Sequence, residues 1–259
     1  MNKLIISNRQ STNLTTERNP VMSSSKKSVV IATFATLFYL AALALPSTAQ
    51  TYNAAGDFSA TSNPNAVWSY GSLSLLSGFT LTTSNVASYG GTGLSGWVGN
   101  LDARPDGIPY ILHNGTANPI TLVNSTYQPG QLALQAGLNG QYSDVRWTAP
   151  FSSSFSIAAT FSGLSSAGDS SDVHILLNGT SIFDANVNGS PNPQSYSGLQ
   201  TLAAGAILDF ISGTGNDGSP NEGNTALAAS IIAVPEPNTV GLVGMAFGCL
   251  LSIRLLKRK

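Results

Sequence analysis

Short runs in which apolar and polar residues alternate recur along the middle of the chain. Phe155, Ile157, Ala159 and Phe161 alternate with Ser156, Ala158 and Thr160. Val173, Ile175 and Leu177 alternate with His174 and Leu176, and Asn178-Gly179 leads into Ile182 and Phe183. A period of two puts one set of side chains on a single strand face, and Asn-Gly between two such runs predicts a tight hairpin. Val145 and Trp147 flank Arg146 in a run that Pro150 closes, Leu208 and Phe210 mark another, and Leu227, Ala229 and Ile231 the last. Leu73 and Leu75, then Phe79 and Leu81, predict an early hairpin. Gly, Ser, Asn and Pro punctuate the gaps, and no amphipathic helical stretch of ten residues appears. The pattern predicts an all-β fold, a β-sandwich of jelly-roll-like type.

Two apolar stretches near the ends break this pattern. Lys26 and Lys27 precede the run 29–45, which ends in Pro46-Ser47-Thr48-Ala49-Gln50. A basic flank, a short apolar run and small residues at Ser47 and Ala49 predict a signal peptide over 1–49, cut between Ala49 and Gln50. A retained N-terminal anchor is the competing reading, disfavoured by the short run and its Pro. Met22, just before Ser-Ser-Ser-Lys-Lys, is an alternative start. At the other end Val234-Pro235-Glu236-Pro237 leads into an apolar stretch, 240–253, then Arg254, Leu255, Leu256, Lys257, Arg258 and Lys259. Fourteen helical residues rise only about 21 Å, against a hydrocarbon core of about 30 Å. With Arg254 snorkelling to the headgroups, a transmembrane helix over 239–256 reaches the lower limit for a span. Lysines at one end and the basic tail at the other hold both ends cytoplasmic, so residues 50–233 are the exported domain.

Composition sharpens this division. The chain has 259 residues, 42% hydrophobic and 9% charged, with a formal net charge of −1 and one Cys. A single cysteine excludes an intrachain disulfide framework and any multi-Cys metal site, and there is no basic footprint for nucleic acid. The near-neutral total conceals an asymmetry: residues 51–234 carry ten acidic residues against Arg104 and Arg146, a net −8 with both His neutral. The remaining basic residues lie in the two terminal segments.

The last 26 residues resemble the PEP-CTERM sorting signal of bacteria, also known as an ice-binding protein C-terminal domain. Pro235-Glu236-Pro237, the short Gly-containing apolar helix and the cluster Arg254, Lys257, Arg258 and Lys259 carry the resemblance. It implies that an integral-membrane exosortase recognises residues 234–259 and removes the tail, in a bacterium that makes exopolysaccharide. The protein is then held in the membrane by its C-terminal helix and, after processing, stays at the cell surface or outside the cell. The prolines keep the Glu236 region extended and out of the helix. Gly244 and Gly248 form a small-xxx-small pair that could pack against the processing enzyme, but glycine is common in such spans and that is the plainer reading; Cys249 reads as a packing residue. The runs Asp57-Phe58-Ser59, Asn63-Pro64-Asn65, Trp68-Ser69-Tyr70-Gly71 and Val145 to Pro150, with the two β-runs that follow, are similar to exported β-sandwich domains found ahead of such tails.

Candidate chemistry in the domain is sparse. Asp172 and His174, two apart, share one strand face and could form a metal pair or an oriented base. A zinc site needs three or four ligands, and the pattern names no others; a polar strand face is the plainer reading. Neither His113 nor His174 follows a Gly-x-Ser-x-Gly nucleophile elbow. Glycosidases need two carboxylates, but the Asp residues read as turn and cap residues. The loop Gly213 to Gly218, Asp169 and Asp172 could offer oxygens to Ca²⁺; no other cofactor is expected. Trp68, Tyr70, Trp97, Tyr110, Tyr142 and Trp147 are the aromatic pool for sugar stacking. Trp68 and Trp147 read as core, and Trp97, among Gly93, Gly96 and Gly99, as a loop aromatic. Thr80, Thr82 and Thr83 are too few for an ice-binding array. The expected function is a structural or glycan-contacting module of the surface or matrix, with an exosortase and exopolysaccharide as partners and no catalytic residue assigned. The alternative is a secreted polysaccharide hydrolase on the same scaffold.

Overall fold

Alternation decides which side of each strand is buried, and strand follows strand from Thr51 to Val234. The computed structural model describes residues 49–99, 108–168, 170–216, 218, 219, 223–235 and 254. In chain order the strands are β1 (Thr51–Asn53), β2 (Trp68–Ser74), β3 (Ser77–Leu81), β4 (Ser84–Tyr89), β5 (Leu94–Val98), β6 (Tyr110–His113), β7 (Ile120–Leu122) and β8 (Ser125–Tyr127). They continue as β9 (Leu132–Gln135), β10 (Gln141–Thr148), β11 (Ser153–Gly163), β12 (Ser170–Leu177), β13 (Thr180–Asn188), β14 (Gln194–Leu202), β15 (Ile207–Thr214) and β16 (Thr225–Val234). One sheet runs β14-β11-β16-β9-β6-β5-β4, with β1 also paired to β16; the second runs β13-β12-β15-β10-β2-β3; β7 and β8 form a separate ribbon. The residues 47–237 make one compact unit. Among the described residues no helix is long and apolar enough to cross a membrane.

The expected all-β sandwich is present. Phe155, Ile157, Ala159 and Phe161 of β11 point from the first sheet into one cluster with Val145, Trp147, Val173, Ile175, Leu208 and Phe210 from the second. Full burial of each large apolar side chain contributes about 1.5–3 kcal/mol, so the two-residue period sets strand register across the whole interior. Trp68 and Trp147 are core residues as expected.

Two hairpins share a turn geometry with different residues. Asn178 and Gly179 join β12 to β13 with φ of 49° and 81°, the type I′ geometry that Asn-Gly favours. Leu75 and Leu76 join β2 to β3 with φ of 49° and 64°. The early hairpin exists, but Leu75 is its turn rather than a strand residue, and it is 82% exposed.

The domain's two ends lie side by side. Thr51 pairs with Ile232 and Asn53 with Ser230, and the Ala233 N–H donates to the Gln50 carbonyl at 2.8 Å. Tyr52 turns inward, its ring 5.4 Å from that of Trp147. Ala49, Gln50 and Pro235 are exposed at this rim, and Arg254 is exposed too.

Three expectations need correcting. Trp97 is not a loop residue: it sits in β5, 5% exposed, and its Nε1–H donates to the Ser59 carbonyl at 2.7 Å. The glycine that suggested a loop, Gly96, is needed inside the strand, because a Cβ there would strike the Ile111 carbonyl of β6. Asp144 and Asp184 stand in strands rather than turns. Gly213 and Thr214 likewise belong to β15 rather than to a loop. The expected signal segment up to residue 48, Glu236 and Pro237, the expected helix over 239–256 except for Arg254, and Lys257, Arg258 and Lys259 lie outside the described residues. So do Arg104, Asp169 and Asp217.

Candidate functional site

The outer faces of the two sheets differ in chemistry. On the first sheet, β14, β11 and β16 present Ser195, Ser197, Leu199 and Thr201, then Ser154, Ser156, Ala158 and Thr160, then Ala228, Ser230, Ile232 and Val234. These residues lie rung against rung. Hydroxyls pair across the rungs, Thr160 with Ser195 at 2.9 Å and Ser154 with Thr201 at 3.1 Å. No charged residue interrupts this patch.

The outer face of the second sheet collects the ionisable side chains. Val145, Trp147, Val173, Ile175 and Phe210 face the core, so the period of two turns Tyr142, Asp144, Arg146, Asp172, His174 and Asp209 the other way. A small apolar cluster of Leu73, Leu176 and Ile211, with Phe79 and Tyr142 packed on it, lies among them. Two glycines let the rings lie flat across the sheet. A Cβ at Gly213 would enter the Tyr142 ring, and one at Gly71 would enter the Phe79 ring.

One half of this face is an arginine–carboxylate group. Arg146 and Asp209 face each other across β10 and β15. The guanidinium donates to Asp209 through Nε at 2.6 Å and through a terminal nitrogen at 3.1 Å, a bidentate arrangement. Its central carbon sits 3.8 Å over the Phe79 ring. Asp144 is fully buried, 3.9 Å from Arg146 Nε. Burial and the neighbouring Asp209 charge push the Asp144 carboxyl well above the ordinary range, against the pull of Arg146. Burial and Asp209 thus favour the uncharged form of Asp144. Sealed from solvent, the two acids are not placed to work on either side of a glycosidic bond.

The other half joins Asp172 and His174, as their spacing requires, to a residue the sequence reading missed. His174 Nε2 lies 3.0 Å from Asp172 Oδ2, and the same oxygen accepts from the Tyr142 hydroxyl at 2.7 Å. Asp184 pairs with His174 across β12 and β13, and its Oδ1 is 3.7 Å from His174 Nδ1. Burial raises Asp172, but hydrogen bonds from His174 and Tyr142 outweigh it and hold the carboxyl low. The hydrogen bond with Asp172 raises His174, with burial opposing. Burial, then the bond to Asp172, raises Tyr142.

Asp184 was hidden by a β-bulge. Counting back from the Asn178-Gly179 turn sets Phe183 opposite His174. The register shifts between Ile175 and Leu176, so Phe183 meets Ile175 and Asp184 meets His174. His113, by contrast, lies in the other sheet against Phe58, where burial lowers it; the two histidines share no site. The aromatic pool is not a sugar platform: Trp68, Tyr70, Trp97, Tyr110 and Trp147 are buried, and Tyr142 is committed to Asp172.

No known protein family matches the sequence, and no curated protein matches it. Among solved structures, a family 35 carbohydrate-binding module from Clostridium thermocellum aligns with 45% of this chain and 78% of its own, at 12% identity and a TM-score of 0.26. The C-terminal CBM6 of LamC from Zobellia galactanivorans aligns with 39% of this chain and 78% of its own, at 16% identity and a TM-score of 0.25. The PRD1 vertex protein P5 aligns with 44% and 76%, at 14% identity and a TM-score of 0.26. Likenesses this partial do not bear on what the chain does.

Proposed function

We propose that this chain is an exported bacterial module of the cell surface or extracellular matrix. In this reading the C-terminal apolar segment holds it in the membrane until an exosortase-type enzyme processes the tail, and the sandwich then contacts exopolysaccharide. One observation carries the proposal. β16 ends at Val234, which still pairs with Ser154, and the next residue, Pro235, is exposed at the rim. The Pro-Glu-Pro motif thus begins where the ladder ends, so a processing enzyme could engage it without opening the core. The strand order supports the jelly-roll reading: β9-β16-β11-β14 against β10-β15-β12-β13 is what two wrapped Greek keys produce. The charge-free hydroxyl face of β14, β11 and β16 supports contact with a polymer rich in hydroxyls rather than a charged partner.

Intact-mass analysis of the exported protein from an exosortase-bearing host tests the sorting. The expected product begins at Gln50 and lacks Lys257, Arg258 and Lys259; a full C-terminus on the exported product overturns it. For the glycan, the purified protein is sedimented with host exopolysaccharide. Retention is expected, and it should be lost when Ser156→Lys and Ser197→Lys place charges on the hydroxyl face. Release of reducing ends would favour a hydrolase instead.

A further inference from the structure

The geometry points to a site for a divalent transition-metal ion of the zinc class at His174 and Asp184, with Asp172 as the group that orients the imidazole. Three residues, Asp172, His174 and Asp184, bring one possible ligand atom each within 4.8 Å of one another. Their proximity alone would not make a site. The second observation is the state of His174, whose side chain is only 8% exposed. Its Nδ1 is buried and makes no hydrogen bond among the described residues.

The hydrogen bonding fixes which nitrogen is free. Asp172 Oδ2 accepts from the Tyr142 hydroxyl, and a carboxylate can only accept. His174 Nε2 therefore donates its proton to Asp172, and in the neutral ring the lone pair is on Nδ1. Asp184 Oδ1 lies 3.7 Å from that nitrogen, too far for a hydrogen bond. Two ligand atoms each about 2.1 Å from a shared tetrahedral ion lie about 3.4 Å apart. The observed gap is thus close to the span of a bridging cation. The carboxylate on the distal imidazole N–H is the common support of a metal-bound histidine, because it fixes ring orientation and makes the ligating nitrogen more basic. Tyr142 in turn holds Asp172, and Gly213 makes room for Tyr142.

The donor set selects the metal class. An imidazole nitrogen suits zinc, copper or nickel, whereas Ca²⁺ takes six to eight oxygens. Access is one-sided: the Asp184 side chain is 68% exposed while His174 is covered. Solvent would complete the coordination, which describes an exchangeable site rather than a closed structural one.

The test titrates the purified, metal-stripped chain with Zn²⁺ by calorimetry. One saturable site is expected, not displaced by millimolar Ca²⁺. Asp184→Asn, at an exposed position that leaves the core untouched, should abolish it. Asp172→Asn should weaken it about 10–100-fold, as removal of such an orienting partner does, and His113→Gln should leave it unchanged. Anomalous diffraction at the zinc edge should place the ion beside His174 Nδ1. Absence of saturable binding, binding undiminished in Asp184→Asn, loss in His113→Gln, or equal binding of Ca²⁺ would each overturn the proposal.

Discussion

Single residues on the outer face of the second sheet set its energetics. Burial and then Asp209 raise the Asp144 carboxyl well above the ordinary range, with Arg146 opposing. The folded protein keeps a proton that the unfolded chain releases above about pH 4. The stability this group contributes is thus complete below that pH and declines as pH rises toward the folded-state value. Asp144→Asn keeps the shape and an N–H donor without this dependence. It should raise the melting temperature at pH 7, by about 2–4 °C for each kcal/mol in a domain of this size, and flatten the stability profile above about pH 4. Equal profiles for the two proteins would show that Asp144 is ionised when folded. Arg146 is the opposite case. Arg146→Met strands Asp209, a buried charge, and should cost about 3–5 kcal/mol in denaturant unfolding, whereas Arg146→Met with Asp209→Leu should recover most of that loss.

Hairpins and ladders show how far sequence reasoning reaches. Asn178-Gly179 and Leu75-Leu76 adopt the same left-handed backbone, yet only the first has residues suited to it. Leu75→Asn should therefore stabilise the domain by about 0.5–1 kcal/mol, read as a shift in the urea midpoint; an unchanged or lower midpoint would mean the turn is not strained. The β11 and β12 runs were legible because burying one face leaves a two-residue trace in the sequence. The Leu75 and Trp97 positions were not, because there the backbone's demands run against residue preference: leucine in a left-handed turn, glycine inside a strand. The acidic pair Asp144 and Asp209 leaves no local trace, since its members come from strands 65 residues apart. Asp184 lay one residue from where turn counting looks. The bulge in β12–β13 moved it to the outer face, and nothing in the residues near Ile175 announces a bulge.

At the scale of the whole molecule, the paired ends matter most. Tyr52 stands three residues beyond the expected cleavage point and covers Trp147. Tyr52→Ala should cost about 3–5 kcal/mol, as aromatic truncation in a core does, and removal of 50–53 should lower the melting temperature further; loss of less than 1 kcal/mol would mean that β1 is dispensable. The same arrangement has a mechanical side. β16 pairs with β11 along ten residues from Gly163 to Ser154, and with β1 and β9 on its other flank. A pull on the chain beyond Val234 would transmit tension along β16. Antiparallel hydrogen bonds lie perpendicular to the strand, so that tension loads the ladder in shear, many bonds at once, rather than peeling them apart singly. The strand that leads into Pro235 is thus also the one best placed to carry force.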